Sequence, residues 1–103
     1  MKKIIVYSPL SHSEQIREAI GKAGGGRLGK YVFCSFSTKG VGRFKPEEGA
    51  NPHIGSVGQL EAVEEEKIEV TCDDSLVDKV VSAIKKAHPY EEIALDIHPL
   101  ENL

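Results

Sequence analysis

Ile68-Glu69-Val70-Thr71-Cys72-Asp73-Asp74-Ser75-Leu76-Val77-Asp78-Lys79-Val80-Val81 changes period in the middle. Up to Cys72, apolar and polar residues alternate, as they do on a strand with one buried face. Asp73-Asp74-Ser75 then supplies side-chain oxygens suited to capping a helix. Beyond them Leu76, Val77, Val80, Val81, Ile84 and Ala87 fall at helical spacing, and Pro89 stops the run. The strand extends back to Leu60, with Leu60, Ala62, Ile68, Val70 and Cys72 in one phase. Glu64 and Glu66 interrupt that phase, which predicts a bulge or a stretch running past the core. After the helix, Ile93, Leu95 and Ile97 alternate with Ala94, Asp96 and His98, giving a last strand before Pro99.

The same order of signals occurs earlier. Lys3 to Ser8 is a short, β-branched apolar run stopped by Pro9, a first strand. Ser11 and Glu14 have the spacing of a capping box, and Ile16, Ala19, Ile20 and Ala23 lie at i, i+3, i+4 and i+7. Gly24-Gly25-Gly26 ends that helix. Tyr31 to Thr38 alternates in aromatic and small residues and reads as a second strand. Residues 39–58 carry five glycines and two prolines around a short strand at Arg43 to Lys45. So long a connection in a small chain is more often functional or interfacial than idle. The resulting order, βαββαβ, is the ferredoxin-like arrangement of an α+β fold, with a long insertion between strands 2 and 3.

Two helices cover one sheet face only. The first strand is apolar on both faces, with Ile4 and Val6 set against Ile5 and Tyr7. A second subunit, or the residues of segment 39–58, must cover the other face, so a homo-oligomer is expected.

Composition narrows the class further. The chain has 103 residues, two cysteines, no tryptophan and a formal charge of -3, which describes one domain, residues 1–103. No apolar run approaches the roughly 20 residues of a membrane helix, and Pro9, His12 and Glu14 break the first run before a signal-peptide core forms. A cytoplasmic location and no membrane partner are expected. Residues 1–45 hold nine basic and two acidic residues, whereas residues 46–103 hold four and fourteen. The basic residues are dispersed over several elements of an acidic chain, so no nucleic-acid partner is expected. The basic second strand and acidic third strand are expected to neutralise one another in a hairpin.

Gly24 to Lys30 matches the glycine and lysine spacing of a phosphate loop, but Tyr31 stands where a hydroxyl should reach magnesium. Here the glycines leave a helix, whereas a phosphate loop enters one. Cys34 and Cys72 fall in predicted strands and read as buried free thiols. His88-Pro89-Tyr90-Glu91-Glu92 puts an imidazole, a phenol and two carboxylates in a turn, where they suit a divalent metal, an amine or proton transfer. The same residues also suit a helix stop, with His88 placed well for the helix dipole and Tyr90 simply packing. No nucleophile, base and orienting group pair up, and Ser8, Ser11 and Ser13 are indistinguishable from helix-capping residues, so no catalytic residue is assigned.

Five motifs in order resemble one family: Gly24 to Tyr31, Cys34-Ser35-Phe36, Gly40-Val41-Gly42-Arg43-Phe44-Lys45-Pro46, Gly49 to Gly55 followed by Gly58 and Glu61, and His88 to Glu92. They resemble the YqfO-type module of the NGG-one-interacting-factor-three family, which larger members carry as an insertion in a core with a dinuclear metal site. The resemblance implies a stand-alone module, because the ligands of that core do not occur in these 103 residues. The module is itself similar to CutA and PII signalling proteins, whose ferredoxin-like chains form trimers and bind small ligands or metals between subunits. Gly25 stands where the module usually has alanine, and Ile93 where it usually has proline; Ile93 is therefore expected to pair in the last strand.

Two functions follow as expectations. The first is a non-enzymatic, homo-oligomeric binding or regulatory module, a trimer before a dimer. In it Arg43 and Lys45 meet a small anionic ligand and His53, His88, Tyr90 and Glu92 give directional contacts. The second is a divalent-metal-binding protein of CutA type using His53, His88, Glu91 and Glu92, with the metal as its one candidate cofactor. An enzyme ranks third.

Overall fold

The change of period at Cys72 becomes an element boundary in the computed structural model, which describes residues 1–101. Strand β1 (Lys2–Pro9) passes through a single 3-10 turn into helix α1 (Ser13–Lys22). Strands β2 (Phe36–Phe44) and β3 (Glu61–Cys72) form a hairpin, and a second 3-10 turn leads into helix α2 (Val77–Ala87) and strand β4 (Leu95–Pro99). The four strands form one antiparallel sheet in the order β2-β3-β1-β4, the ferredoxin-like α+β arrangement.

The buried phase of the strands meets the apolar stripes of both helices. Ile4 and Val6 of β1 lie opposite Val70 and Ile68 of β3, and all four pack with Ile16 and Ile20 of α1 and Val80 and Ile84 of α2. Glu66 shares this phase without a bulge, because β3 pairs in continuous register with both neighbours. Its carboxylate takes an Arg17 N–H at 2.6 Å, which satisfies the charge beneath α1. Glu64 lies on the stretch of β3 that runs past the end of β1 and pairs with β2 alone, so the second of the two expected outcomes holds.

The start of α1 departs from the capping box: Ser11 lies in the 3-10 turn with its hydroxyl on His12 Nδ1 at 2.8 Å, and no side chain caps the helix. Its end follows the glycines closely. Gly25 N–H reaches Ile20 O, Gly24 N–H reaches Gly21 O, and Gly24 sits at φ +100°, a Schellman ending. Asp73 does cap the turn before α2, accepting from Ser75 N–H at 2.9 Å.

The second strand is displaced from its expected position. Tyr31 to Ser35 is not strand: Leu28 and Tyr31 bridge across a tight turn, and Phe33 sits at φ +58°, outside extended backbone. β2 instead runs through Gly40 and Gly42, so the true connection is 45–60 and Cys34 lies in a loop, partly exposed. Cys72 is buried, and both thiols are free. The expected charge neutralisation in the hairpin is also partial. Lys39 faces Glu66, but Glu61, Glu64 and Glu65 face Phe44, Val41 and Gly40. β4 starts at Leu95, while Ile93 packs against the core from outside the strand.

Candidate functional site

The pleat decides which side chains meet on the helix-free face of the sheet. Residues opposite one another in the ladder share a face, so Tyr7 of β1, Glu65 of β3, Gly42 and Phe44 of β2, and Ala94 just before β4 all point away from the helices. Connection 45–60 and the turn 88–92 close over one end of this face. The result is a pocket of about 530 Å³. Gly58 N–H on Pro46 O at 2.8 Å closes the connection on itself. Asn51 N–H on Glu91 Oε2 at 2.7 Å ties it to the turn.

The pocket gathers Arg43, Lys45, His53, Tyr90, Glu91 and Glu92, which are six of the seven residues singled out in the sequence. The seventh, His88, lies beneath them, buried, with its ring 4.9 Å from that of Tyr90. His88 Nδ1 accepts the Tyr90 N–H at 3.1 Å, so Nε2 carries the proton and donates to Tyr7 O at 2.7 Å. Both nitrogens are thus engaged, and the imidazole clamps the turn to β1. Among the described residues no three His, Cys, Asp or Glu side chains are grouped as a metal set would require.

Burial pushes His88 below its ordinary value of 6.5, against smaller upward pulls from the Tyr7 carbonyl and Glu65. As pH falls, the unfolded chain therefore takes this proton first. The stability owed to His88 is complete above pH 6.5 and is lost as pH falls through that value toward the folded one. Urea unfolding of wild type and His88→Gln across pH 7.5 to 5 should show a steeper loss in wild type; equal slopes would contradict the buried neutral imidazole.

Tyr90 is the hub of the site. Its ring lies 6.2 Å from His53 and 6.4 Å from Phe44, centroid to centroid, and its hydroxyl donates to Glu65 Oε2 at 3.3 Å. Burial, then the Glu65 charge, pushes the phenol up to about 12, so it stays a donor at neutral pH. The Glu65 side chain rests over Gly42, where a β-carbon would collide with the carboxylate. Gly42→Ala should therefore displace a flexible side chain at little cost in stability while breaking the Glu65–Tyr90 bond. Two-dimensional amide spectra should show changes centred on Gly42, Glu65 and Tyr90 with an unfolding midpoint close to wild type. A large loss of midpoint would show that Gly42 serves the fold instead.

Sequence reasoning missed Tyr7, Phe44, Glu65 and His12, whose ring meets His53 edge-on at 5.7 Å. For two of them a signal existed in the strand phase, since Tyr7 and Glu65 alternate out of the core phase of β1 and β3; Phe44 had none, because β2 does not show its phase in the sequence.

No family model matches the chain. Two curated proteins named GTP cyclohydrolase 1 type 2 homolog match almost all of it. The one from Halalkalibacterium halodurans is 53% identical over 97% of this chain and 27% of its own length; that from Bacillus subtilis is 48% identical over 98% and 27%. A crystal structure of a Bacillus cereus protein related to NIF3 superposes with a TM-score of 0.85 at 48% identity, over 98% of this chain and 26% of that one. The chain is homologous to one module of the NIF3-type proteins. It spans only about a quarter of the relatives it matches. The chain also carries the CutA fold: Pyrococcus horikoshii CutA gives a TM-score of 0.71 at 16% identity, over 100% of this chain and 87% of that one. The PII-like protein CutA from Nostoc gives 0.72 at 16%, over 99% and 83%. At such identity the likeness concerns the fold alone. No helix among the described residues is long and apolar enough to cross a membrane.

Proposed function

We propose that residues 1–103 form one domain of a non-enzymatic, homo-oligomeric protein that binds a small molecule in the pocket between connection 45–60 and turn 88–92, and so serves regulation. The observation that carries the reading is the convergence there of Arg43, Lys45, His53, Tyr90 and Glu92, from segments far apart in sequence, on a cavity of ligand size. Fixed aromatic and charged groups around a largely apolar cavity give orientation and specificity without a catalytic set.

Association is supported by what the chain leaves open. Leu28, Tyr31, Val32, Phe33 and Phe36 are exposed over a short span, Tyr31 by 74% and Phe36 by 68%, and Phe36 sits on the helix-free sheet face. Among the described residues the outer edge of β2 is unpaired as well. Three chains, as the CutA resemblance implies, would cover this surface. Native mass spectrometry of untagged protein isolated from cells tests both parts. The expected spectrum shows a trimer carrying a small organic mass; a bare monomer would contradict the proposal. One zinc or copper per chain, lost in His53→Ala, would favour the divalent-metal reading through His53, Glu91 and Glu92 instead.

A further inference from the structure

The acceptor fixed on the floor of the pocket is a carboxylate that no cation neutralises among the described residues. Glu65 is half-buried on the helix-free face of β3, with one carboxylate oxygen laid over Gly42 and the other taking the Tyr90 hydroxyl at 3.3 Å. That single donor fills only part of what two carboxylate oxygens accept. No Lys, Arg or His forms an ion pair with Glu65 among those residues, whereas the neighbouring Glu66 is answered by Arg17 and Glu69 by Lys3. A carboxylate partly withdrawn from water attracts a cation more strongly than one in open solvent.

The chain's own cations are placed elsewhere. Arg43 borders the pocket but stands opposite Ala62 in the ladder, on the side of the sheet away from Glu65, and is exposed. Lys45 lies past the end of β2 and is exposed as well. Lys67 shares the face of Glu65 but is not part of the pocket wall. The His88 imidazole is spent on Tyr90 N–H and Tyr7 O.

Around Glu65 the wall is mostly apolar: Pro46, Pro52 and Ile54 from the connection, with the rings of Tyr7, Phe44 and Tyr90. Such a wall takes an aliphatic or an aromatic body by burial alone. It also favours a cation, because the Tyr90 ring reaches Glu65 through its hydroxyl and lies 6.4 Å from that of Phe44, and ring faces attract positive charge. An organic acid would be repelled at Glu65. A bare metal ion would leave the apolar wall unfilled, and no three ligating side chains are grouped for it among the described residues.

We infer that the pocket takes an apolar amine, whose ammonium meets the Glu65 carboxylate and whose aliphatic or aromatic body fills the space between the connection and Tyr90. The inference rests on the pocket being the binding site proposed above, and it gives the ligand the charge opposite to the one that Arg43 and Lys45 suggest in the sequence.

Amide chemical-shift titration of the full chain at neutral pH tests it with cyclohexylmethylamine and three analogues. Cyclohexylmethanol lacks the charge, cyclohexanecarboxylate reverses it, and methylamine lacks the body. The expected result is movement of the Gly42, Phe44, Glu65 and Tyr90 amides, with cyclohexylmethylamine bound at least ~5-fold more tightly than each analogue. Glu65→Gln keeps the shape of the side chain and an acceptor for Tyr90, and should bring the amine down to the level of the alcohol. Glu69→Gln removes the same charge from the same strand outside the pocket and should leave the preference intact. A preference kept in Glu65→Gln, or lost equally in both variants, would overturn the role of Glu65. Equal or tighter binding of the carboxylate would overturn the sign of the charge, and equal binding of methylamine the apolar body. If no probe moves the pocket amides, the ligand class is wrong. In that case a small mass retained in the native spectrum would leave the binding reading standing, and its absence would remove both.

Discussion

Gly26→Ala should lower stability by about 3 kcal/mol or more, one of the largest losses any single glycine in this chain can give. Gly26 sits at φ +76°, where a side chain costs about 1–2 kcal/mol by itself. A β-carbon there would also collide with the Cys34 carbonyl oxygen, which is backbone and cannot swing aside. Nor can Gly26 move, since its N–H is on Thr71 O at 2.8 Å and its carbonyl takes Cys34 N–H at 2.8 Å. The residue thus joins the end of α1 to the end of β3 and to the loop before β2. Thermal unfolding should show a midpoint lower by ~12 °C or more, at about 4 °C or more per kcal/mol. Gly29→Ala is the matched control: φ is +58° but nothing lies within 4 Å of the added carbon, so only the conformational cost of about 1–2 kcal/mol remains. Similar losses in both variants would contradict the packing argument.

A second large effect belongs to Ile68. Its side chain is fully buried on β3, the strand paired on both sides, opposite Val6 and Ser37. Ile68→Ala removes three carbons from the centre of the core and should cost about 3–4 kcal/mol, the transfer term plus the cavity left behind. A domain of this size has roughly 5–15 kcal/mol in total, so from about a fifth to about four-fifths of its stability would go. Val41→Ala, at a position 51% exposed on the same sheet, should cost little. Urea midpoints measure the difference; equal midpoints for the two variants would mean that the core is not centred on β3.

The elements that read well from sequence are those whose residues bury one face. Ile4 and Val6, Ile68 to Cys72, and the stripes Ile16–Ile20 and Val80–Ile84 announce their own period because the core imposes it. β2 does not, because it is an edge strand whose side chains are mostly exposed and whose interior contains Gly40 and Gly42. Its glycines look like loop, yet Gly42 is in strand so that the Glu65 side chain can lie over it. The neighbouring Tyr31 to Ser35 looks like strand, yet the positive φ of Phe33 and the Leu28–Tyr31 bridge turn the chain there. The ring of Phe33 rests against Gly21 of α1, a tertiary contact that alternation along the chain does not encode.

The site divides along the same line. Arg43, Lys45, His53, Tyr90, Glu91 and Glu92 stand out because they are charged or aromatic residues within glycine- and proline-rich stretches. Tyr7 and Glu65 are ordinary strand residues until pairing and phase bring them to one face. His88 shows the converse. Its residue type suggests a ligand, but its two ring nitrogens are spent on Tyr90 N–H and Tyr7 O, and it acts as a clamp.

Whether this pocket receives a small molecule is tested most directly by adding the small-molecule extract of the expressing cells to isotopically labelled protein and following every backbone amide. Shifts confined to Gly42, Phe44, His53, Tyr90 and their neighbours, and absent in Gly42→Asp, are the predicted result. Shifts confined to other surfaces, or an unchanged spectrum, would contradict it.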